Sequence, residues 1–277
     1  MKLTTEQISF YNENGYLIIN DYFNNREVEL LKSEMPKTVD VNSPRIIKED
    51  NGEIRSIFAP HFVNDTYSAL ARHKKLVEPS QQLLENNVYL HQFKINSKKG
   101  LKGDWWEWHQ DFPYWHIDDG IPKPDMISAM VYLHDIDHVN GPLLLIPKSH
   151  KVGIAEFAPK DEKGFEKNLA SNEQAEAEFL SSLSSNIKFT VHEEMIRSTA
   201  KTNGIVPAIG SKGTVLFFHG NIFHASNVNL SPFDRDVVII TYNSVMNLPP
   251  KVEKPRPDYL AGKDYSPIIC HEASLAE

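Results

Sequence analysis

Residues 125–147 read DMISAMVYLHDIDHVNGPLLLIP. Two apolar runs, each too short for a typical helix, flank a stretch of Asp, His and Asn that ends in Asn140-Gly141. That dipeptide tolerates positive φ and marks a tight turn. The same texture recurs in VYLHQFKIN (88–96), GTVLFFH (213–219) and DVVIITYNSV (236–245). Short runs rich in β-branched and aromatic residues, separated by Gly, Pro and Asn turns, predict a β-sandwich or barrel.

Outward from this region the pattern changes. Residues 1–85 read as helical: Thr4 and Gln7 form a capping box, Gly15 stops the first helix and YLII follows as a strand. A second helix is expected from Asn24-Asn25 through REVELLKSEM, and a third around Leu76 to Leu84. Residues 157–202, rich in Glu, Lys, Ser and Ala, interrupt the strands and are expected to form a lid, with AEAEFLSSL helical. The Pro-rich PPKVEKPRPDYL (249–260) is expected to run extended along the surface. No linker divides the chain, so 1–277 is read as one domain, mainly β with flanking α-helices.

The formal net charge of −8 and pI near 5.8 disfavour a polyanionic partner, and nucleic acid is excluded on that ground. A single cysteine, Cys270, allows no internal disulfide. No apolar leader or membrane-length run is present, and the expected location is the cytoplasm.

The four tryptophans all fall within GDWWEWHQDFPYWH (103–116), around His109, Gln110 and Asp111. If the segment is a strand, His109 and Asp111 share a face and can offer two adjacent metal ligands. A core strand carrying two polar residues is the plainer reading. A second histidine about a hundred residues on, His219 or His224, would complete a two-His-one-carboxylate face suited to non-haem Fe(II) and O2. The fork of Arg235 suits a dicarboxylate cosubstrate. A zinc hydrolase can use the same ligands but has no use for that arginine.

WHQDFPYWHIDDGIP, NGPLLLIPKSHK, HASNVNLSPFDR and ITYNSVMN together resemble the phytanoyl-CoA dioxygenase superfamily, in particular its ectoine and free-amino-acid hydroxylases. VYLHQFKIN, the HQD strand, SPFDRDVVIITYN and PRPDYLAGKD are similar to the leucine-type members. The resemblance runs to near residue 267 and is poorest over 157–202. It implies a double-stranded β-helix (jelly roll, cupin-like) holding Fe(II) and 2-oxoglutarate, with O2 as the other cosubstrate. It implies His109, Asp111 and His224 as metal ligands, with His219 the alternative for the third. It places Arg235 on the distal carboxylate of 2-oxoglutarate, with Ser226, Asn96 and Trp108 nearby. For the substrate it suggests Gln92, Trp115 and Asn243. Tyr114 stands where ectoine hydroxylases have Thr, His116 where the leucine-type pattern has Arg, and Met130 where a small hydroxyl residue is usual.

The implied activity is hydroxylation of an unactivated C–H of a small free L-amino acid, leucine- or proline-like. An ectoine-type hydroxylase of a cyclic zwitterion is the alternative, and a catalytically silent jelly-roll binding protein the alternative from another class. Asp111 speaks against halogenation, which gives up the carboxylate ligand. Asp118 and Asp119 are read as shaping the loop at Gly120, and His134, His138 and His192 as solvated.

Overall fold

A computed structural model describes residues 2–156, 187–271 and 273–275. Its N-terminal part follows the capping signals. Helix α1 (Thr5–Asn14) starts at a box in which Thr4 and Gln7 each accept from the other's backbone amide, and Gly15 ends it at φ 80°. Strand β1 (Tyr16–Ile19) follows, then helix α2 (Asn25–Glu34), capped by Asn24 and Glu27. The helical reading of 1–85 is then corrected. Strands β2 (Ile46–Lys48) and β3 (Ile54–Phe58) form a hairpin before helices α3 (Asp65–Ala71) and α4 (Lys74–Leu84). Each strand is too short to show a period of its own.

From Val88 the chain forms β4 (Val88–Lys98), β5 (Trp106–His109), helix α5 (Phe112–Asp119), β6 (Met126–Tyr132) and β7 (Leu143–Ile146). Helix α6 (Glu193–Asn203), β8 (Val206–Ala208), β9 (Val215–His219), β10 (Phe223–Ser226) and β11 (Arg235–Ser244) complete it. One antiparallel sheet has the order β1-β9-β6-β11-β4-β3-β2, the other β5-β10-β7-β8. In sequence, β4 to β11 pass back and forth between the two sheets, except that β7 and β8 pair within the smaller one, which is the winding of a double-stranded β-helix. Asn140-Gly141 does make a turn, with Asn140 bonded to Asp135 and Asp137. The strands on either side of it belong to different sheets, so it is a crossover and not a hairpin.

Alternation along the central strands sets the layers. Val238, Ile240 and Tyr242 of β11 pack with Val28, Leu31, Tyr67, Leu76 and Val77 of the helices. Val237 and Ile239 face the other way, against Leu145 and Ala208 of the smaller sheet. Each fully buried side chain of this size contributes about 1.5–3 kcal/mol relative to exposure. The large sheet, backed by helices, is therefore the rigid wall on which β4 and β11 present polar groups inward.

The Pro-rich tail runs along the surface with most of its residues at least partly exposed, but it is anchored inward at two points, since Arg256 and Leu260 are buried. A β-bulge in β4 skips His91 in its pairing with β11. The His91 carbonyl accepts instead from the Gly262 amide at 2.6 Å, an approach a β-carbon on Gly262 would block. Of the expected lid, residues 157–186, including AEAEFLSSL, lie outside the described residues. Its remainder joins the core through the Val191 amide to the Trp108 carbonyl, and then forms α6. Among the described residues no helix is long and apolar enough to cross a membrane.

Candidate active site

His109 closes β5, and the chain then turns. Asp111 is the N-cap of α5, with helical backbone angles, and not a strand neighbour of His109. The i, i+2 strand argument is thus replaced by a strand-to-helix corner. Gln110 fixes that corner: its amide donates to Gly153 and Asn221 carbonyls at 2.8 and 2.7 Å and accepts from the Ala155 amide at 2.9 Å. His224 pairs with His109 across β10 and β5.

These three residues converge. Their candidate ligand atoms all lie within 4.8 Å of one another. The Nε2 atoms of His109 and His224 are 3.7 and 3.8 Å from the same Asp111 oxygen. Each ring's Nδ1 lies against a backbone carbonyl two residues back, Glu107 at 2.6 Å and Ile222 at 3.0 Å. An Nδ1–H donated there leaves the Nε2 lone pair free for a metal, the arrangement that sets tautomer and ring orientation in histidine sites. Burial, and then the neighbouring His224, push His109 down to about 3, so the ring is neutral. Burial alone would raise Asp111, but His224, Lys94 and His109 together hold it below the usual carboxylate range. His219 is not in this group. It ends β9, its Nδ1 accepts from the Asn221 amide at 3.0 Å, and its ring packs 5.2 Å from His150.

Two cavities meet at the triad, and His109, Asp111, Lys94 and Trp106 line both. The first also has Arg235, Ser226, Asn96, Lys98 and Met130. Arg235 is buried, donates one Nη2 bond to the Gly141 carbonyl, and keeps an Nε with no partner. Burial draws its pKa down to about 10. A buried guanidinium left this incomplete has donors to offer a ligand carboxylate. Ser226 shares the His224 face of β10, and the Asn96 carbonyl oxygen accepts from Ser56 at 2.9 Å.

The second cavity has Gln92, Tyr114, Trp115, Phe58, Ile187 and Arg256. Gln92 donates to the Leu260 carbonyl at 2.8 Å, which leaves its own carbonyl oxygen for a ligand. Trp115 presents an edge to His91 at 5.7 Å. The Tyr114 hydroxyl is held by the Phe189 amide at 2.8 Å, so it shapes the wall.

Three residues expected from the resemblance stand elsewhere. Trp108 lies on the strand face opposite His109 and packs with Ile146, Val191 and Phe223. Trp106 takes the cavity position instead, because β5 bulges against β10, pairing His224 with His109 but Ser226 with Trp106. One extra residue in β5 turns Trp106 to the His109 side, where it covers Arg55 at 3.7 Å. Asn243 is fully buried, donating to Tyr89 Oη at 2.8 Å and the Asn247 carbonyl at 3.0 Å. His116 is exposed, its Nδ1 on the Ile121 carbonyl at 2.7 Å.

Sequence reasoning missed Lys94 and Arg256. Alternation could have found Lys94, which lies between Gln92 and Asn96 on one face of β4. Among the described residues its Nζ has no hydrogen-bond or ion-pair partner; the Phe58 ring lies 6.0 Å away. Burial pulls its pKa down, with Asp111 opposing. Arg256 pairs with Asp119, Nε to Oδ1 at 2.6 Å and Nη2 to Oδ2 at 2.5 Å. Asp119 is therefore a buried counter-ion, not a loop-shaping residue.

The chain is 33% identical over 268 residues to an ectoine dioxygenase of Sphingopyxis alaskensis, covering 94% of this chain and 83% of that one. It is 30% identical over 260 residues to an L-proline trans-4-hydroxylase of Streptomyces griseoviridis, covering 94% and 92%. The crystal structure of EctD from S. alaskensis with 2-oxoglutarate and 5-hydroxyectoine superposes with a TM-score of 0.81 at 30% identity, over 99% of this chain and 89% of that chain. The profile of the phytanoyl-CoA dioxygenase (PhyH) family matches residues 11–237, and the chain belongs to that family.

Proposed function

We propose that the protein is an Fe(II)- and 2-oxoglutarate-dependent dioxygenase of the cytoplasm that hydroxylates an unactivated C–H of a small free L-amino acid, leucine- or proline-like. The observation that carries this is the meeting of two differently built cavities at one His-Asp-His face. His109, Asp111 and His224 would hold the metal, whose donor set leaves open positions for a chelating cosubstrate and O2. The bound iron supplies O2 activation coupled to oxidative decarboxylation: 2-oxoglutarate, O2 and R–H become succinate, CO2 and R–OH.

The residues divide the remaining work. Arg235 meets the far carboxylate of 2-oxoglutarate, and Ser226 and Asn96 stand beside it. In the other cavity Arg256 meets a substrate carboxylate, and the free carbonyl oxygen of Gln92 suits an α-ammonium. Lys94 adds positive charge where the cavities join. Trp115, Phe58 and Ile187 enclose the apolar side chain and keep water out, which strengthens both charge pairs.

An ectoine-type activity is the second reading, favoured by the ectoine dioxygenase relatives and the 5-hydroxyectoine in the EctD structure. The experiment is one screen. L-Leucine, L-proline, other free amino acids and ectoine are each tested for succinate release above the substrate-free level, with a product 16 mass units heavier. Stimulation by an amino acid supports the first reading and stimulation by ectoine alone the second. No stimulation by any of them contradicts both.

A further inference from the structure

We propose that Asp119 is a positioning residue for substrate recognition, holding Arg256 and the C-terminal strap that carries it against the cavity wall. The inference rests on the role given above to Arg256. Arg256 sits in a Pro-rich stretch with no regular secondary structure, so nothing local fixes its direction. What fixes it comes from distant parts of the chain. Asp119 Oδ1 accepts from Nε, and Oδ2 accepts from Nη2 and from His91 Nε2 at 3.1 Å. This occupies one edge of the planar guanidinium. The edge ending in Nη1 has no partner among the described residues and is left for a carboxylate in the cavity that Arg256 lines.

Each partner of Asp119 belongs to a different element. His91 is the bulged residue of β4, Asp119 ends α5 just before Gly120, and Arg256 belongs to the strap. The strap has two other ties to β4, the Gly262 amide on the His91 carbonyl and the Leu260 carbonyl on Gln92. Asp119 is thus the side-chain pivot through which the strap is registered on the sheet. Burial alone would raise its pKa, but Arg256 and His91 outweigh burial and keep it ionised.

The test compares Asp119→Asn, Asp119→Glu, Arg256→Ala and the Asp119→Asn/Arg256→Ala double variant. The substrate is whichever of L-leucine, L-proline or ectoine stimulates succinate release. Asp119→Asn is expected to raise KM for that compound by about 30-fold or more, since it removes the charge partner of a buried arginine. KM for 2-oxoglutarate and substrate-free succinate formation stay within about twofold, because Arg235 and the triad are untouched. Asp119→Glu, which keeps the charge, recovers part of the loss, and the double variant is no worse than Arg256→Ala. An unchanged substrate KM, a parallel rise in the 2-oxoglutarate KM, or additive losses in the double variant would overturn the proposal. If none of the three compounds is turned over, kinetics in the substrate is not the readout, and hydrogen exchange decides this proposal separately from the amino acid reading. Faster amide exchange at residues 256–262 in Asp119→Asn supports it, and unchanged exchange overturns it.

Discussion

The rings of His109 and His224 face each other across β5 and β10 with centroids 4.1 Å apart, and each holds its Nδ1 against a carbonyl two residues back in its own chain. The two imidazoles are thereby set in the same tautomer, with both Nε2 atoms turned toward Asp111. Loss of either removes a candidate ligand that no neighbour replaces, since His219 is committed to Asn221 and His150. His224→Ala is expected to abolish iron retention after anaerobic reconstitution. His219→Ala is expected to keep the iron and to cost about 1–3 kcal/mol of stability. Iron content by metal analysis of the two variants checks this, and the reverse pattern would reassign the third ligand.

Arg235 has a buried Nε without a protein partner. Truncating one member of a buried charge pair costs about 2–5 kcal/mol, so Arg235→Ala should raise the KM for 2-oxoglutarate by about 30-fold or more. Arg235→Lys should recover little, because a point charge cannot replace the bidentate fork. Steady-state kinetics in 2-oxoglutarate decides; an unchanged KM in Arg235→Ala removes this residue from the site.

Trp106 and Trp108 should separate cleanly. Trp108 packs half-buried against a small core cluster on the strand face away from the cavities, so Trp108→Ala should cost about 1–3 kcal/mol of stability with both KM values near wild type. Trp106 lines both cavities and covers Arg55, so Trp106→Ala should raise the succinate formed per substrate hydroxylated, toward uncoupled turnover. Thermal melts alongside the ratio of succinate to hydroxylated product read the two effects. Equal behaviour of the two variants would contradict the β5 bulge.

Three histidines outside the triad are kept neutral by burial. His61, His73 and His219 are each drawn down to about 4, burial being the largest cause, with Arg45, Lys75 and His150 adding repulsion. The unfolded chain takes up protons near pH 6.5 that the folded chain refuses until about 4. Their contribution is therefore fully present above about pH 6.5 and is lost as pH falls toward about 4. The thermal midpoint is expected to drop by several degrees over that window at constant ionic strength. A flat midpoint between those limits would show that these rings are not protected.

The residues proposed to bind metal and cosubstrate were legible through the motifs of the family resemblance, which depend on residue order and not on local conformation. His109, Asp111, His224 and Arg235 keep their order whether the intervening chain is strand or helix. The geometry that unites them was less visible. Strand alternation gave the right neighbours for His109 and Asp111 by the wrong route, since Pro113 near the start and Gly120 at the end define a helix there. That Trp106 and not Trp108 lines the cavities follows from a bulge, which shifts alternation without marking the sequence. Arg256 was hidden because every contact that directs it is distant in sequence, and a Pro-rich stretch reads as surface until the edge of β4 that it covers is known. Asn243 illustrates the converse: its polar type suited a substrate role, but Tyr89 and Asn247 already take its amide.

The most direct measurement is anaerobic titration of the purified full chain with Fe(II) and 2-oxoglutarate, read by visible absorption. The account predicts a charge-transfer band that needs both additions, disappears in His224→Ala, needs far more 2-oxoglutarate in Arg235→Ala, and changes when the amino acid substrate is added. A chain that gives no band with both present, or the same band without His224, would contradict it.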